Sequence, residues 1–352
     1  MKASLRNRVK RLFEELVAAE KEVDCVAIAS SAPDPNFLYF LGLSTGVFEN
    51  SVLLLSPHSL QAVVPRLELN AVPRGVEAFS FSSPEEKKSV TKKILGQFNA
   101  VGFDFKSISH ENYLLLRSNC KKMVDVSKEL ALTRAVKEAI EVKAMRAAAR
   151  LTDKVIAGVI GGLREGVSEQ EAAAEIVFCF AEKSASPAFE SICAFGRNSA
   201  VPHHLPSKKQ LKKGEIVLID AGARLNGYCA DLTRTIVFGR RPSFAQYSLL
   251  EVVRQAREIV VDKIRPGVQA SELHCAVSEF FGSRGFAGGL IHSLGHSIGL
   301  QVHDGLRIHA KSDFVLREGM VFALEPALYF PRIGGVRLEE DVLVTRKGCR
   351  VL

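Results

Sequence analysis

Glu215-Ile-Val-Leu-Ile-Asp220-Ala-Gly-Ala-Arg-Leu-Asn226-Gly227-Tyr-Cys-Ala-Asp231-Leu-Thr233-Arg-Thr235 reads as two strands joined by a two-residue turn. Asn-Gly between strand-like runs favours a type I′ turn. If Asn226 and Gly227 form it, Leu225 pairs with Tyr228 and Asp220 falls opposite Thr233. Side chains alternate between sheet faces, so Asp231, two residues from Thr233, shares the face of Asp220 as a diagonal neighbour about 7–8 Å away. Two carboxylates so placed repel each other unless a cation lies between them. A bulge would shift the register, so the inference depends on an uninterrupted hairpin.

The same pattern of costly groups recurs downstream. His292-Ser-Leu-Gly-His296-Ser-Ile-Gly-Leu-Gln-Val-His303-Asp304 holds three of the nine histidines within twelve positions. Imidazole is the commonest nitrogen ligand for metals and a proton carrier suited to neutral pH. Met320-Val-Phe-Ala-Leu-Glu325-Pro326 ends an apolar run on a glutamate, whose charge is costly to bury unless paired or metal-bound. Gly335-Val-Arg337-Leu-Glu339-Glu340-Asp341 then carries three acids in a strand-like stretch. A hairpin centred near Arg332 sets Glu325 beside Glu339 or Glu340. A one-residue slip exchanges the two, and pattern alone leaves both open.

Carboxylates plus imidazole, without thiolate, form a ligand set suited to Mn²⁺, Co²⁺, Fe²⁺ or Zn²⁺. Four carboxylates are too many for a single zinc with an open position. They fit two divalent ions about 3.5–4 Å apart.

Around these stretches the chain reads as α+β. Residues 1–20 have a helical apolar pattern, and turn residues such as Pro33-Asp34-Pro35 separate the short apolar runs that follow: 26–29, 37–41, 52–55, 61–64 and 100–103. A small α/β domain over residues 1–126 is expected, then a second domain over 127–352. The latter opens with a helical stretch over 130–160. Ser168 and Glu171 form a capping box for a helix to about Glu182, and two more helices are expected at 244–264 and 271–281. The net charge of +8 is dispersed among acids, and there is no Trp, which argues against a nucleic-acid partner. No apolar run reaches membrane-span length, and residues 1–6 lack a signal-peptide core, so no membrane partner and a cytoplasmic location are expected. Seven scattered cysteines, none at C-x-x-C spacing, indicate neither a disulfide framework nor a zinc-thiolate site.

These residues resemble the family of methionine aminopeptidase, prolidase, aminopeptidase P and creatinase, the pita-bread fold. Its D-x-G strand, the aspartate before T-R-T, the G-H-x-x-G-L histidine, the E-P glutamate and the glutamate of G-x-R-x-E-D fall on Asp220, Asp231, His296, Glu325 and Glu339. The match favours Glu339 over Glu340. Pro202-His203-His204 resembles a motif of the proline-specific branch, and residues 1–126 resemble that branch's creatinase-like N-terminal domain. Ala327, Ala323 and Leu306 depart from common family residues without removing a ligand.

The resemblance implies an enzyme that hydrolyses the bond before proline in Xaa-Pro dipeptides, using a hydroxide held between two divalent ions. Mn²⁺ or Co²⁺ is implied first, with Zn²⁺ or Fe²⁺ as alternatives. Asp220 would chelate one ion, His296 and Glu325 the other, and Asp231 and Glu339 would bridge. Glu325 would also act as acid/base, His203 and His303 would meet the scissile carbonyl, and Arg307 would bind the substrate carboxylate. A homodimer is implied too. The rival readings are an Xaa-Pro aminopeptidase acting on longer peptides and a non-catalytic binding member of the fold.

Overall fold

The computed structural model describes residues 3–29 and 34–352. Met1, Lys2 and Pro33, which the sequence places in the first helix and the first turn, lie outside the described residues. The chain divides into two compact units, Met1–Arg134 and Ala135–Leu352. The expected boundary after residue 126 falls at the head of a helix, Ser127–Ala135, most of which stays in the first unit.

In the first unit, α1 (Ala3–Ala18) buries Leu5, Val9, Leu12 and Leu16, one stripe of an amphipathic helix. Strands β1 (Cys25–Ala29), β2 (Val52–Leu55), β3 (Leu60–Pro65), β4 (Glu77–Phe81), β5 (Ala100–Phe103) and β6 (Lys122–Asp125) form one sheet in the order β4-β3-β2-β1-β5-β6. Phe37–Leu41 behaves differently from its apolar-run neighbours. It lies in the helix α2 (Pro35–Leu41), with Asp34 accepting from the Asn36 and Phe37 N–H groups and Gly42 closing the end at φ 68°. All five of these side chains are buried, so no polar face marks the helical period. Helices α3 (Pro84–Leu95), α4 (His110–Arg117) and α5 (Ser127–Ala135) complete the unit.

The second unit opens with α6 (Ala139–Gly162) and α7 (Glu169–Glu182). The helical stretch expected from 130 onward is thus interrupted, and Glu138 and Glu141 form a capping box that starts α6 afresh. Strands β7 (Ser186–Pro187), β8 (Ile192–Phe195), β9 (Ile216–Ala221), β10 (Ala223–Leu225), β11 (Tyr228–Cys229) and β12 (Leu232–Val237) follow. Val217, Ile219 and Ala221 pack with Val155, Ile156 and Val159 of α6 and with Ile176 and Phe180 of α7. By alternation Asp220 projects from the opposite face of β9. Beyond α8 (Phe244–Lys263) and α9 (Ala270–Ser283) come β13 (Gly295–Ser297), β14 (Arg307–Ile308), β15 (Val321–Leu324), β16 (Ala327–Phe330), β17 (Gly334–Arg337), β18 (Glu340–Thr345) and β19 (Gly348–Val351). Among the described residues, no helix is long and apolar enough to cross a membrane.

Two interrupted hairpins position the acids. Asn226 and Gly227 take φ 51° and 81°, as a type I′ turn requires. Leu225 pairs with Tyr228, Arg224 with Cys229, Leu232 with Ala221 and Thr233 with Asp220. One register therefore runs through both strand pairs without a bulge. Between them the ladder opens at Gly222 and Asp231. A Cβ on Gly222 would stand 1.9 Å from the Ala230 carbonyl oxygen, so only glycine fits this approach. The second hairpin repeats the device: Leu324 pairs with Glu340 and Ala327 with Arg337. The same register sets Glu325 opposite Glu339 in the gap between them.

Candidate metal centre

Asp220, Asp231, His296, Glu325 and Glu339 line a single cavity of about 860 Å³, together with His203, His303 and Arg307. One ligand atom from each of Asp231, His296 and Glu339 falls within 4.8 Å of the others, and all three residues are buried. His296 Nε2 lies 3.6 Å from Asp231 Oδ2 and 4.0 Å from Glu325 Oε1. Asp220 lines the same wall, but its Oδ2 accepts a hydrogen bond from Arg337 Nη2. Glu340 points elsewhere and pairs with Arg257, while Glu339 accepts from Thr233 Oγ1 at 2.7 Å.

The chemistry of this donor set fits cations. His296 Nδ1 stands 3.3 Å from the Ser297 carbonyl oxygen. With Nδ1 donating there, Nε2 turns its lone pair towards Asp231. Burial, then the neighbouring His303, brings the His296 pKa down to about 4, so the ring is neutral. A neutral ring nitrogen thus faces the Asp231 carboxyl group at 3.6 Å. Asp220 Oδ1 and Asp231 Oδ1 are buried without a hydrogen-bond partner, a costly state that a metal would relieve. Burial pushes Asp231 and Glu339 well above the usual carboxylate range, and repulsion from the other acids adds to it. Glu325 is raised to about 7, chiefly by burial.

His203, His303 and Arg307 line the cavity beside the cluster. His296 and His303 meet edge to face, with ring centroids 4.3 Å apart. Burial lowers the His303 pKa, and the charges of Arg307 and His203 lower it further. The fully buried Asp304 pairs with Lys137 Nζ at 2.9 Å.

Three contributors escaped the sequence reading as site residues. Arg337 is buried and donates to Asp220, to Thr233 Oγ1 at 3.0 Å and to Tyr329 Oη at 2.7 Å. An arginine two positions before Glu339 in an otherwise apolar strand was the available signal. Tyr329 also lies 3.0 Å from His292 Nε2, and His292 Nδ1 is 3.7 Å from Glu325 Oε2. His292 sits four residues before His296, in the same histidine-rich stretch.

Comparison with known proteins agrees with this geometry. Residues 143–346 match the model of metallopeptidase family M24, and residues 8–136 match the creatinase/prolidase N-terminal domain. An Xaa-Pro dipeptidase from Pyrococcus horikoshii is 32% identical, with 99% of this chain and 97% of the relative covered. The solved Xaa-Pro dipeptidase from Bacillus anthracis superposes with a TM-score of 0.87 at 27% identity, covering 99% of this chain and 97% of that one. The X-Pro aminopeptidase from Thermotoga maritima superposes with a TM-score of 0.82 at 27% identity, covering 94% and 95%. A buried carboxylate–imidazole cluster in a chain matched by both domain models leads to one conclusion: this protein belongs to metallopeptidase family M24, as a metal-dependent peptidase with a creatinase/prolidase N-terminal domain.

Proposed function

We propose that the chain hydrolyses Xaa-Pro dipeptides at the bond before proline, with Asp220, Asp231, His296, Glu325 and Glu339 holding two divalent cations, Mn²⁺ or Co²⁺. The observation that carries this reading is the convergence of Asp231, His296 and Glu339 in the cavity that His203, His303 and Arg307 also line. The printed names of the relatives agree with it. Bound cations supply the Lewis acidity that polarises the scissile carbonyl and acidifies the attacking water.

The protein's own groups do the rest. Glu325 lines the cavity 4.0 Å from His296 and serves as the acid/base group. Its carboxylate takes the proton of the attacking water and returns it to the proline nitrogen. His303 is held neutral by burial and by Arg307, and with His203 it offers ring N–H groups to the carbonyl oxygen as negative charge develops there. Arg307 pairs with the free carboxylate of the dipeptide. The bond before proline is a tertiary amide without the N–H that ordinary proteases bind, which gives a dedicated site its purpose. The reading includes a homodimer and residence in the cytoplasm, tested by light scattering and cell fractionation.

The decisive assay compares an Xaa-Pro dipeptide with an Xaa-Pro tripeptide, using chelator-treated protein reloaded with Mn²⁺, Co²⁺ or Zn²⁺. Metal-dependent cleavage that favours the dipeptide is expected, and activity indifferent to metal would overturn the reading. The X-Pro aminopeptidase among the structural relatives favours a second reading, action on longer peptides. Preference for the tripeptide would establish it.

A further inference from the structure

We propose that Glu169 is a positioning residue for His203, acting through the loop that carries it. This rests on the role given to His203 above. Glu169 is the first residue of α7, and its side chain is 0% exposed. Its Oε1 accepts from the Phe195 N–H at 2.7 Å and from Asn198 Nδ2 at 2.9 Å. Its Oε2 lies 2.8 Å from His204 Nε2 and accepts from the Ser207 N–H at 3.0 Å and the Ser207 hydroxyl at 2.6 Å. Phe195 and Asn198 precede His203, whereas His204 and Ser207 follow it. A single buried charge therefore clamps both arms of the segment 195–207.

The backbone of α7 reinforces the clamp. The Glu169 N–H donates to the Lys209 carbonyl and the Gln170 N–H to the Ser207 carbonyl, each at 3.1 Å. His203 is itself exposed, so its own packing does not hold it, and its placement comes from the loop. Pro202, His203, His204 and Leu205 all line the cavity. An acid at a helix N-terminus gains from the dipole while exposed. Burying it costs free energy that only filled lone pairs offset, and the donors that fill them here come from the end of β8 at Phe195 and from Asn198, His204 and Ser207 on either side of His203. Charge-assisted bonds of this kind are the stronger class. Catalytic groups must be held to about 0.5 Å, a tolerance that such a shell supplies.

The test is a double-mutant cycle on metal-loaded enzyme. Glu169→Gln keeps the shape of the side chain but turns one acceptor oxygen into an NH₂ group facing donors. For Xaa-Pro cleavage, kcat should fall about tenfold with KM within about twofold, the pattern of a displaced transition-state group. Bound metal should be unchanged. In a His203→Ala background the same substitution should change kcat by less than about twofold, because the group it positions is gone. Equal losses in both backgrounds would reveal a general structural defect and overturn the proposal, as would wild-type kcat in Glu169→Gln. Wild-type turnover by His203→Ala would instead sink the role of His203, a result read from that variant alone. Should Glu169→Gln fail to fold, Asn198→Ala loosens one arm only and should show the same non-additivity with His203→Ala; additive losses there would overturn the proposal.

Discussion

His296 on β13 pairs directly with Arg307 on β14. The imidazole proposed as a metal ligand and the guanidinium proposed to bind substrate thus project from adjacent strands on one face of the sheet, into one cavity. A dipeptide carries its free carboxylate a fixed short distance from the scissile bond, so a guanidinium on the strand beside the proposed ligand is placed to be tested as its partner.

The proposed role of Arg307 predicts a difference between substrates. Two parallel N–H bonds from a guanidinium fit a carboxylate, and a lysine ammonium cannot reproduce them. Arg307→Lys should raise KM for an Xaa-Pro dipeptide about tenfold, the loss of roughly 1.5 kcal/mol of charge-assisted bonding. Cleavage of an Xaa-Pro tripeptide should hardly change, because a neutral amide occupies that place. Steady-state kinetics on both substrates decides the matter, and equal effects would remove Arg307 from substrate selection.

Metal binding and chemistry should separate by residue. Glu339 lies in the tight ligand cluster, whereas His203 lies on the cavity wall outside it. Glu339→Ala should lose bound metal and activity together. His203→Ala should retain its metal, measured by elemental analysis after gel filtration, while kcat/KM falls about a hundredfold, as loss of a transition-state contact implies. Equal metal loss in the two variants contradicts the roles given to them.

The hairpin holding Asp220 and Asp231 was legible because an Asn-Gly turn lets pairing be counted residue by residue. The observed partners, Leu225 with Tyr228 and Thr233 with Asp220, are those that counting yields. Glu339 and Glu340 could not be separated that way, since the connection through Arg332 is no two-residue turn and a slip swaps them. Resemblance chose between them, and the structure puts Glu340 on Arg257. The α2 helix was illegible for another reason: burial on every side erases the period. The pairings of Arg337 with Asp220 and of Lys137 with Asp304 were illegible because the partners stand 117 and 167 residues apart in the chain. Local pattern rules carry no information over that distance.

Glu169 sets a pH dependence remote from the metal cluster. Burial alone would raise its pKa, but hydrogen bonds from Ser207, His204, Phe195 and Asn198 outweigh it and hold the carboxyl below the usual glutamate range. A folded pKa below the unfolded one contributes stability that is fully present above the unfolded value and is lost as pH falls through the folded one. Glu169→Gln should therefore destabilise the protein at pH 6. The difference should shrink on acidification below about pH 4, near the ordinary glutamate value. Urea unfolding of both proteins across that range measures it, and a gap that widens on acidification would reverse the sign argued here.

Removing metal should expose the strain of the crowded carboxylates. Asp231 and Glu339 are buried beside Asp220 and Glu325, and the buried Arg337 donates to Asp220. A ligand that binds only the folded state stabilises it by about 2.7 kcal/mol at a hundred times its Kd. For a unit of this size that corresponds to a rise in Tm of roughly 5–10 °C on adding Mn²⁺ to chelator-treated protein. Glu339→Gln sharpens the test, because it removes one acid whose ionisation the crowded site opposes, and one metal ligand, while keeping the side chain's volume. The metal-free variant should melt above the metal-free wild type, since like charges at close range disfavour the folded state. Its Tm should then respond little to Mn²⁺. His203→Ala, which touches no carboxylate of the cluster, should keep the full metal response. A Glu339→Gln protein that melts lower without metal, yet gains the full shift when metal is added, would show that Glu339 supports the fold and does not hold the cation.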